Sequence, residues 1–179
     1  EYFAKAADIN EQLGVQDPVP YLAIGKTYSQ MGEFFVAARN VRKVLEFDAT
    51  NPDIYGTLGM IYFKSRNYEG AIPALKCSTY GCSAEESCLA RIGDPEYCAD
   101  EANTVDSPVI GGMPLTTSTV VYYYTYGSVL AGMHRPNNNY CELSMDVMQE
   151  VRTQFSSEPV ILQIVEASEE ICASFGITY

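Results

Sequence analysis

The sequence predicts an all-α protein built of antiparallel helix pairs and interrupted once by a cysteine-rich insert. Three observations carry this expectation. "YLAIGKTYSQMGEFFVAAR", residues 21–39, reads as an amphipathic helix, a break at Gly32 and a second helix. The same pattern returns 34 residues later as "YGTLGMIYFKSRNYEGAIP", residues 55–73. Residues 80–115 then lose the helical period and concentrate Gly, Pro, Asp and Cys.

Length and composition bound the classes. A chain of 179 residues suits one substantial domain, taken here as 1–179, or a short repeat array. Hydrophobic content of 47% with 14 Tyr is that of a packed protein. A net charge of −12 disfavours nucleic acid, whose phosphates call for clustered Lys and Arg, and anionic membrane surfaces likewise. No apolar run approaches the roughly 18 residues of a membrane-spanning helix, so membrane insertion is not expected. No secretory signal is visible in this stretch, which begins without Met in what reads as mid-helix, as expected of a processed or partial product whose targeting information is missing.

Taken in order, residues 1–17 read as the second helix of a partial repeat, ending at Gly14. Residues 18–51 form one repeat and residues 52–79 the next. Five identities set the register: Pro18/Pro52, Tyr21/Tyr55, Gly25/Gly59, Tyr28/Tyr62 and Ala37/Ala71. Ile24/Leu58, Phe34/Tyr68 and Val41/Leu75 are conservative matches between them. Tyr21, Ile24, Gly25 and Tyr28 share one face of a first helix; Ala37, Val41 and Val44 share one face of a second. Gly25 and Ala37, and again Gly59 and Ala71, remove the side-chain bulk that would keep two helices apart. Residues 116–155 form a degenerate repeat, with Tyr123, Tyr126, Gly127 and Leu130 on its first helix and a second helix from about 140 to 155. Its internal spacing is four residues too long, the excess lying in "HRPNNN". Residues 157–175 read as a capping helix with Ser157 as N-cap, Pro159 near the start, Gly176 as the stop, and Val160, Ile164, Ala167 and Ile171 as the buried stripe.

This pattern resembles the tetratricopeptide repeat (TPR). The family's aromatic-x-x-Leu-Gly-x-x-Tyr motif is matched by Tyr21-Ile24-Gly25-Tyr28 and Tyr55-Leu58-Gly59-Tyr62, and its Ala-x-x-x-apolar motif by Ala37-Val41 and Ala71-Leu75. Tyr stands where the family usually has Trp. The resemblance covers roughly residues 1–79 and 116–175 and implies an α-α superhelix, a right-handed solenoid of antiparallel helix pairs whose first helices line a concave face. It implies a non-enzymatic protein- or peptide-binding scaffold or adaptor. Residues about 100–180° from the Gly/Tyr packing stripe would face inward: Leu22, Lys26, Ser29 and Gln30; Gly56, Met60, Phe63 and Lys64; Tyr124, Ser128 and Ala131. Some relatives clamp a terminal carboxylate with Lys and Asn. No Asn accompanies Lys26 and Lys64 here, so apolar and backbone contacts are expected to dominate. The alternative is structural: self-association into a homo-oligomer, or a spacer in a larger extracellular or envelope protein.

The insert holds Cys77, Cys82, Cys88 and Cys98 in or beside it, spaced C-x4-C-x5-C-x9-C. Paired short C-x2-C arms, which suit zinc, are missing, so two disulfides are expected and a metal is not. Neighbour pairing, Cys77–Cys82 and Cys88–Cys98, is favoured among three open connectivities. Ser83 with Glu86 makes a capping box for one short helix, the remainder reading as loop. Cys141 and Cys172 lie equidistant from the "SS" turn at residues 156–157, so an antiparallel hairpin brings them together. Three disulfides imply an oxidising compartment: secreted, periplasmic or cell-surface.

No catalytic set stands out. His134 is the chain's one histidine and reads as a solvated loop residue, without the local signature of a nucleophile nearby. "IGGMPL" lacks the spacing and the Lys of a phosphate loop. Asp94, Glu96, Asp100, Glu101 and Asp106 read as a solvated acidic loop and not as a calcium site. Tyr123 and Tyr126 read as core, Tyr122 and Tyr124 as surface. No enzyme activity, cofactor or metal is expected.

Overall fold

The structure, a computed structural model, describes residues 2–178. Among them are eleven α-helices and one two-stranded antiparallel sheet. The chain is all-α, and its helices pack as sequential antiparallel pairs. Where the sequence reads as one domain over 1–179, the contacts divide it into two compact units, Glu1–Gly112 and Met113–Tyr179.

The first unit contains α1 (Tyr2–Leu13), α2 (Pro18–Gln30), α3 (Phe34–Leu45), α4 (Pro52–Lys64) and α5 (Tyr68–Thr79). Each packs on the next. The helix starts repeat at 34 residues: Asp17 accepts from Val19 N at 3.0 Å, and Asn51 accepts from Asp53 N at 3.1 Å, each followed by a proline. The breaks repeat too. Gly32 is left-handed at φ 80°, with Glu33 N donating to Tyr28 O; one period on, Arg66 takes φ 61° and Asn67 N donates to Tyr62 O. Among the described residues Arg66 is the one non-glycine with positive φ, held there by the repeat geometry.

Close approach of the paired helices rests on glycine. A Cβ on Gly25 would lie 2.7 Å from Val41 Cγ2, and one on Gly59 2.6 Å from Leu75 Cγ. These are equivalent seats in successive hairpins. The buried first-helix tyrosine is equivalent as well. Tyr21 Oη donates to Glu11 at 3.3 Å and Tyr55 Oη to Ala49 O at 2.8 Å, tying each hairpin to the segment before it.

The insert is more ordered than one helix and loop, which corrects the expectation. It runs β1 (Gly81–Cys82), α6 (Ala84–Ile92), α7 (Pro95–Ala99), α8 (Glu101–Thr104) and β2 (Ile110–Gly111). The Ser83/Glu86 capping box starts α6. Asp94 and Asp100 are N-caps, accepting from Tyr97 N and Ala102 N, so two of the acidic residues have a local structural task. β1 pairs with β2, and a Cβ on Gly112 would fall 2.0 Å from Thr79 O, so only glycine lets the strand return this close to α5. Cys77–Cys82 and Cys88–Cys98 are disulfides. Lys76 pairs with Glu86 across to α6, and Arg91 and Ser87 hold the returning segment at Ser107 Oγ and Pro108 O. Burial opposes ionisation of Glu86, but the Lys76 and Ser83 hydrogen bonds keep its carboxyl below the usual value.

The second unit packs α9 (Val120–Met133), α10 (Cys141–Gln154) and α11 (Pro159–Ala173) against one another. Its glycine seat returns: a Cβ on Gly127 would lie 2.7 Å from Met148 Cε. Tyr123 Oη donates to Met113 O at 2.6 Å, as Tyr21 and Tyr55 do to their own preceding segments. The distance along the chain from glycine to its partner is 21 residues here (Gly127 to Met148) against 16 in the earlier hairpins (Gly25 to Val41), so the excess is five residues and not four. Cys141–Cys172 joins α10 to α11 with Cα atoms 5.5 Å apart, as equidistance from the turn requires. That disulfide also corrects the buried stripe of α11. Val165, Ser168 and Cys172 are buried with Ile161 packed beside them, one position on from the expected set; Val160 and Ile171 are exposed. Pro159 opens the helix with Glu158, not Ser157, at the N-cap and no side-chain cap bond. Arg152 grips Glu169 with two hydrogen bonds, of 3.1 and 2.5 Å.

Gly25→Ala and Gly59→Ala should each cost about 1–3 kcal/mol in denaturant unfolding, because the added methyl meets a Val41 or Leu75 side chain with no room to turn. Gly127→Ala should cost less, since the end of Met148 can swing aside.

Burial pushes the Tyr55 phenol from 10.0 up to about 12, with Arg91 pulling the other way. A raised phenol stabilises the fold fully below pH 10, and that stability is lost as pH climbs towards 12. The loss is roughly 2–3 kcal/mol. Thermal melts of the wild type should therefore fall between pH 10 and 12, and Tyr55→Phe should flatten the fall.

Candidate functional site

The residues expected to face inward occupy equivalent places on α2 and α4 in the first unit. The 34-residue register pairs Lys26 with Met60, Ser29 with Phe63 and Gln30 with Lys64. Lys26, Gln30 and Lys64 are exposed; Leu22, Ser29, Met60 and Phe63 are half-buried. Phe63 leans on Tyr68 with ring centroids 6.1 Å apart. Leu22 packs against the first unit's core, and Gly56 is buried, so neither offers the free contact expected of it. What α2 and α4 present is a mixed strip of two lysines, a glutamine and two large apolar side chains.

The third hairpin departs from that picture. Ser128 lies 3.1 Å from Ser168 Oγ of α11, Tyr124 packs on the core cluster that contains Val165, and Ala131 is buried with Cys141 and Cys172. The capping helix therefore covers the α9 positions equivalent to Leu22, Lys26 and Ser29. The strip of free side chains belongs to the first unit.

His134 is buried, not solvated, with 4% of its surface exposed. Its Nδ1 accepts from Cys141 N at 3.2 Å, and its ring lies 4.6 Å from that of Phe175. The imidazole thus caps α10, whose N-cap residue Tyr140 provides no side-chain bond. Its position before the helix start was visible in sequence; the folding back of residues 134–140 was not. No group of three or more His, Cys, Asp or Glu is placed to hold a metal ion among the described residues.

A second candidate surface escaped the sequence reading because the insert was taken as loop. The C-terminal end of α6 stands opposite α3 and the α4–α5 turn, leaving a cleft of about 610 Å³. Phe34, Phe35, Tyr62, Leu89 and Pro95 supply apolar walls, with Arg42 among them. A neighbouring cleft of about 350 Å³ shares Arg42 and Ile92 and adds Arg39 and Arg91. Burial raises the Tyr62 phenol while Arg42 pulls it down, placing the guanidinium and the phenol in the same field. The capping box and cysteine spacing announced a stapled helix, but not the surface it would face.

No protein-family model, curated protein or solved structure matches this chain.

His134→Ala should leave Cys141 N unpaired in a buried place and remove the contact with Phe175. The expected cost is about 1–3 kcal/mol in chemical unfolding of the oxidised protein.

Proposed function

We propose that this chain is a TPR-like, non-enzymatic protein- or peptide-binding scaffold that works outside the reducing cytosol. The observation that carries the reading is the equivalence of Gly25 and Gly59. Both sit against the same point of their second helix, so α2 and α4 hold their outward positions in the same register. Repeats built on one such contact offer an extended surface without a catalytic pocket. Lys26, Gln30 and Lys64 supply polar contacts along it, and Met60 and Phe63 supply apolar ones. The single histidine is buried and caps α10. Three disulfides support a secreted, periplasmic or cell-surface setting.

A structural reading is favoured by one observation. Tyr2, Ile9 and Leu13 share a stripe of α1 and are 89%, 52% and 70% exposed, an apolar edge suited to a further copy or a neighbouring domain.

Capture of partners from secreted or envelope material on the oxidised protein tests the proposal. Met60→Asp with Phe63→Asp should reduce capture about tenfold or more while helix content stays unchanged. Undiminished capture rejects the proposal. Sedimentation at several concentrations separates the structural reading, which requires a firm oligomer.

A further inference from the structure

We infer that the cleft between α6, α3 and the α4–α5 turn is a docking site for an acidic peptide segment carrying an aromatic or aliphatic anchor. The site is separate from the α2/α4 strip and is built by the insert. Position 35 is Phe in the first repeat and Glu69 in the second, so the hairpin itself does not need an apolar side chain there. Phe35 is nevertheless aromatic and 75% exposed at the cleft's edge, with Ile92 51% exposed on the opposite wall. Large apolar side chains on both rims, above the half-buried Phe34, Tyr62 and Leu89, suit a segment lying across the opening better than an enclosed small molecule.

Charge selects the partner's chemistry. The chain has 11 Lys and Arg against 23 Asp and Glu, yet Arg42 lines this cleft and is joined by Arg39 and Arg91 in the smaller cleft beside it. Among the described residues none of the three is paired with a carboxylate. Arg91 donates to Ser87 O and Ser107 Oγ, both neutral. Glu46, which also lines the smaller cleft, lies 3.0 Å from Lys43, and Glu69, which lines the larger cleft, forms no ion pair with these arginines among the described residues. The register sharpens the contrast. Lys76, the equivalent of Arg42 in the second repeat, is neutralised by Glu86 of α6, whereas Arg42 is left with its charge facing the cleft. Guanidinium groups beside apolar walls recognise carboxylates next to a hydrophobic anchor, because the planar fork binds oxygen pairs while the rings take the side chain. Cys88–Cys98 brackets Leu89, Ile92 and Pro95 and so fixes one wall before anything binds, lowering the ordering cost of association.

Selection of a displayed pool of random peptides, roughly a dozen residues long, on the oxidised protein tests this. Enrichment of Asp and Glu beside Phe, Tyr, Leu or Ile is expected, with binding that weakens as salt rises. Individual selected peptides should lose about tenfold or more in affinity on Phe35→Glu and on Arg42→Glu, and nothing on Met60→Asp with Phe63→Asp. Phe35 is exposed, so Phe35→Glu should fold as the wild type, which circular dichroism checks. A pool that yields no binder, peptides without acidic residues, or affinity that survives both cleft variants overturns the inference. So does loss of binding on the Met60/Phe63 variant, which assigns the peptides to the α2/α4 strip. An oligomer that dissociates on Arg42→Glu also overturns it, by naming a second copy as the occupant. Failure of the α2/α4 reading leaves this test intact, because the two sets of variants share no residue.

Discussion

A missing methyl group at the helix crossing governs this structure. At Gly25, Gly59 and Gly127 the first helix of a hairpin comes so near the second that a Cβ would stand within 3 Å of Val41, Leu75 or Met148. That proximity places Ala37, Ala71 and Ser144 under the same crossing and brings the first-helix tyrosine into the core, where Tyr55 is fully buried. In the third hairpin Ser144 stands in for the small alanine and donates to Gly127 O at 2.8 Å, replacing a purely steric fit with a hydrogen bond. The same contact survives a longer inter-helix loop because it acts between faces and does not depend on loop length.

The disulfides act at a different level. Each secures something the glycine crossings do not supply. Cys77–Cys82 pins the chain as it leaves α5, Cys88–Cys98 holds the end of α6, and Cys141–Cys172 fastens α11 onto α10. Short loops restrict the unfolded chain less than long ones, so the 31-residue separation of the last pair is the one expected to stabilise most, in the range of 2–4 kcal/mol. The insert is thereby turned from a long loop into a second wall beside the hairpins. That division of labour leaves two surfaces on the first unit: the hairpins carry one strip of side chains, and the stapled insert builds a cleft with α3, Tyr62 of α4 and the α4–α5 turn.

Several features were legible in residue order, each for a local or periodic reason. The helix pairs, their breaks at Gly32 and around Arg66, the Ser83/Glu86 capping box and the Cys141–Cys172 pair all depend on spacing along the chain. The neighbour pairing of the other four cysteines was one of three possibilities, and the fold selects it by bringing Cα atoms to 4.7 and 5.7 Å. Errors arose where a face had to be chosen. The stripe of α11 is one position from the expected set because Cys172 must point at Cys141. Tyr124 and Ser128 were assigned an open face that α11 covers. His134 looks solvated among Pro and Asn, yet the turn closed by Arg135 and Asn138 folds it onto the start of α10.

Residue order by itself determined that this protein is made of paired helices joined by cysteine bonds, because small residues at helical spacing and equidistant cysteines are constraints within a short stretch of chain. Only the tertiary structure decided which side chains remain free. Whether Ser128 meets solvent or Ser168, and whether Arg42 meets a carboxylate or an open cleft, depends on which distant element lands there. Packing of that kind is set by the sum of many weak, non-local contacts, and no single spacing in the sequence encodes it.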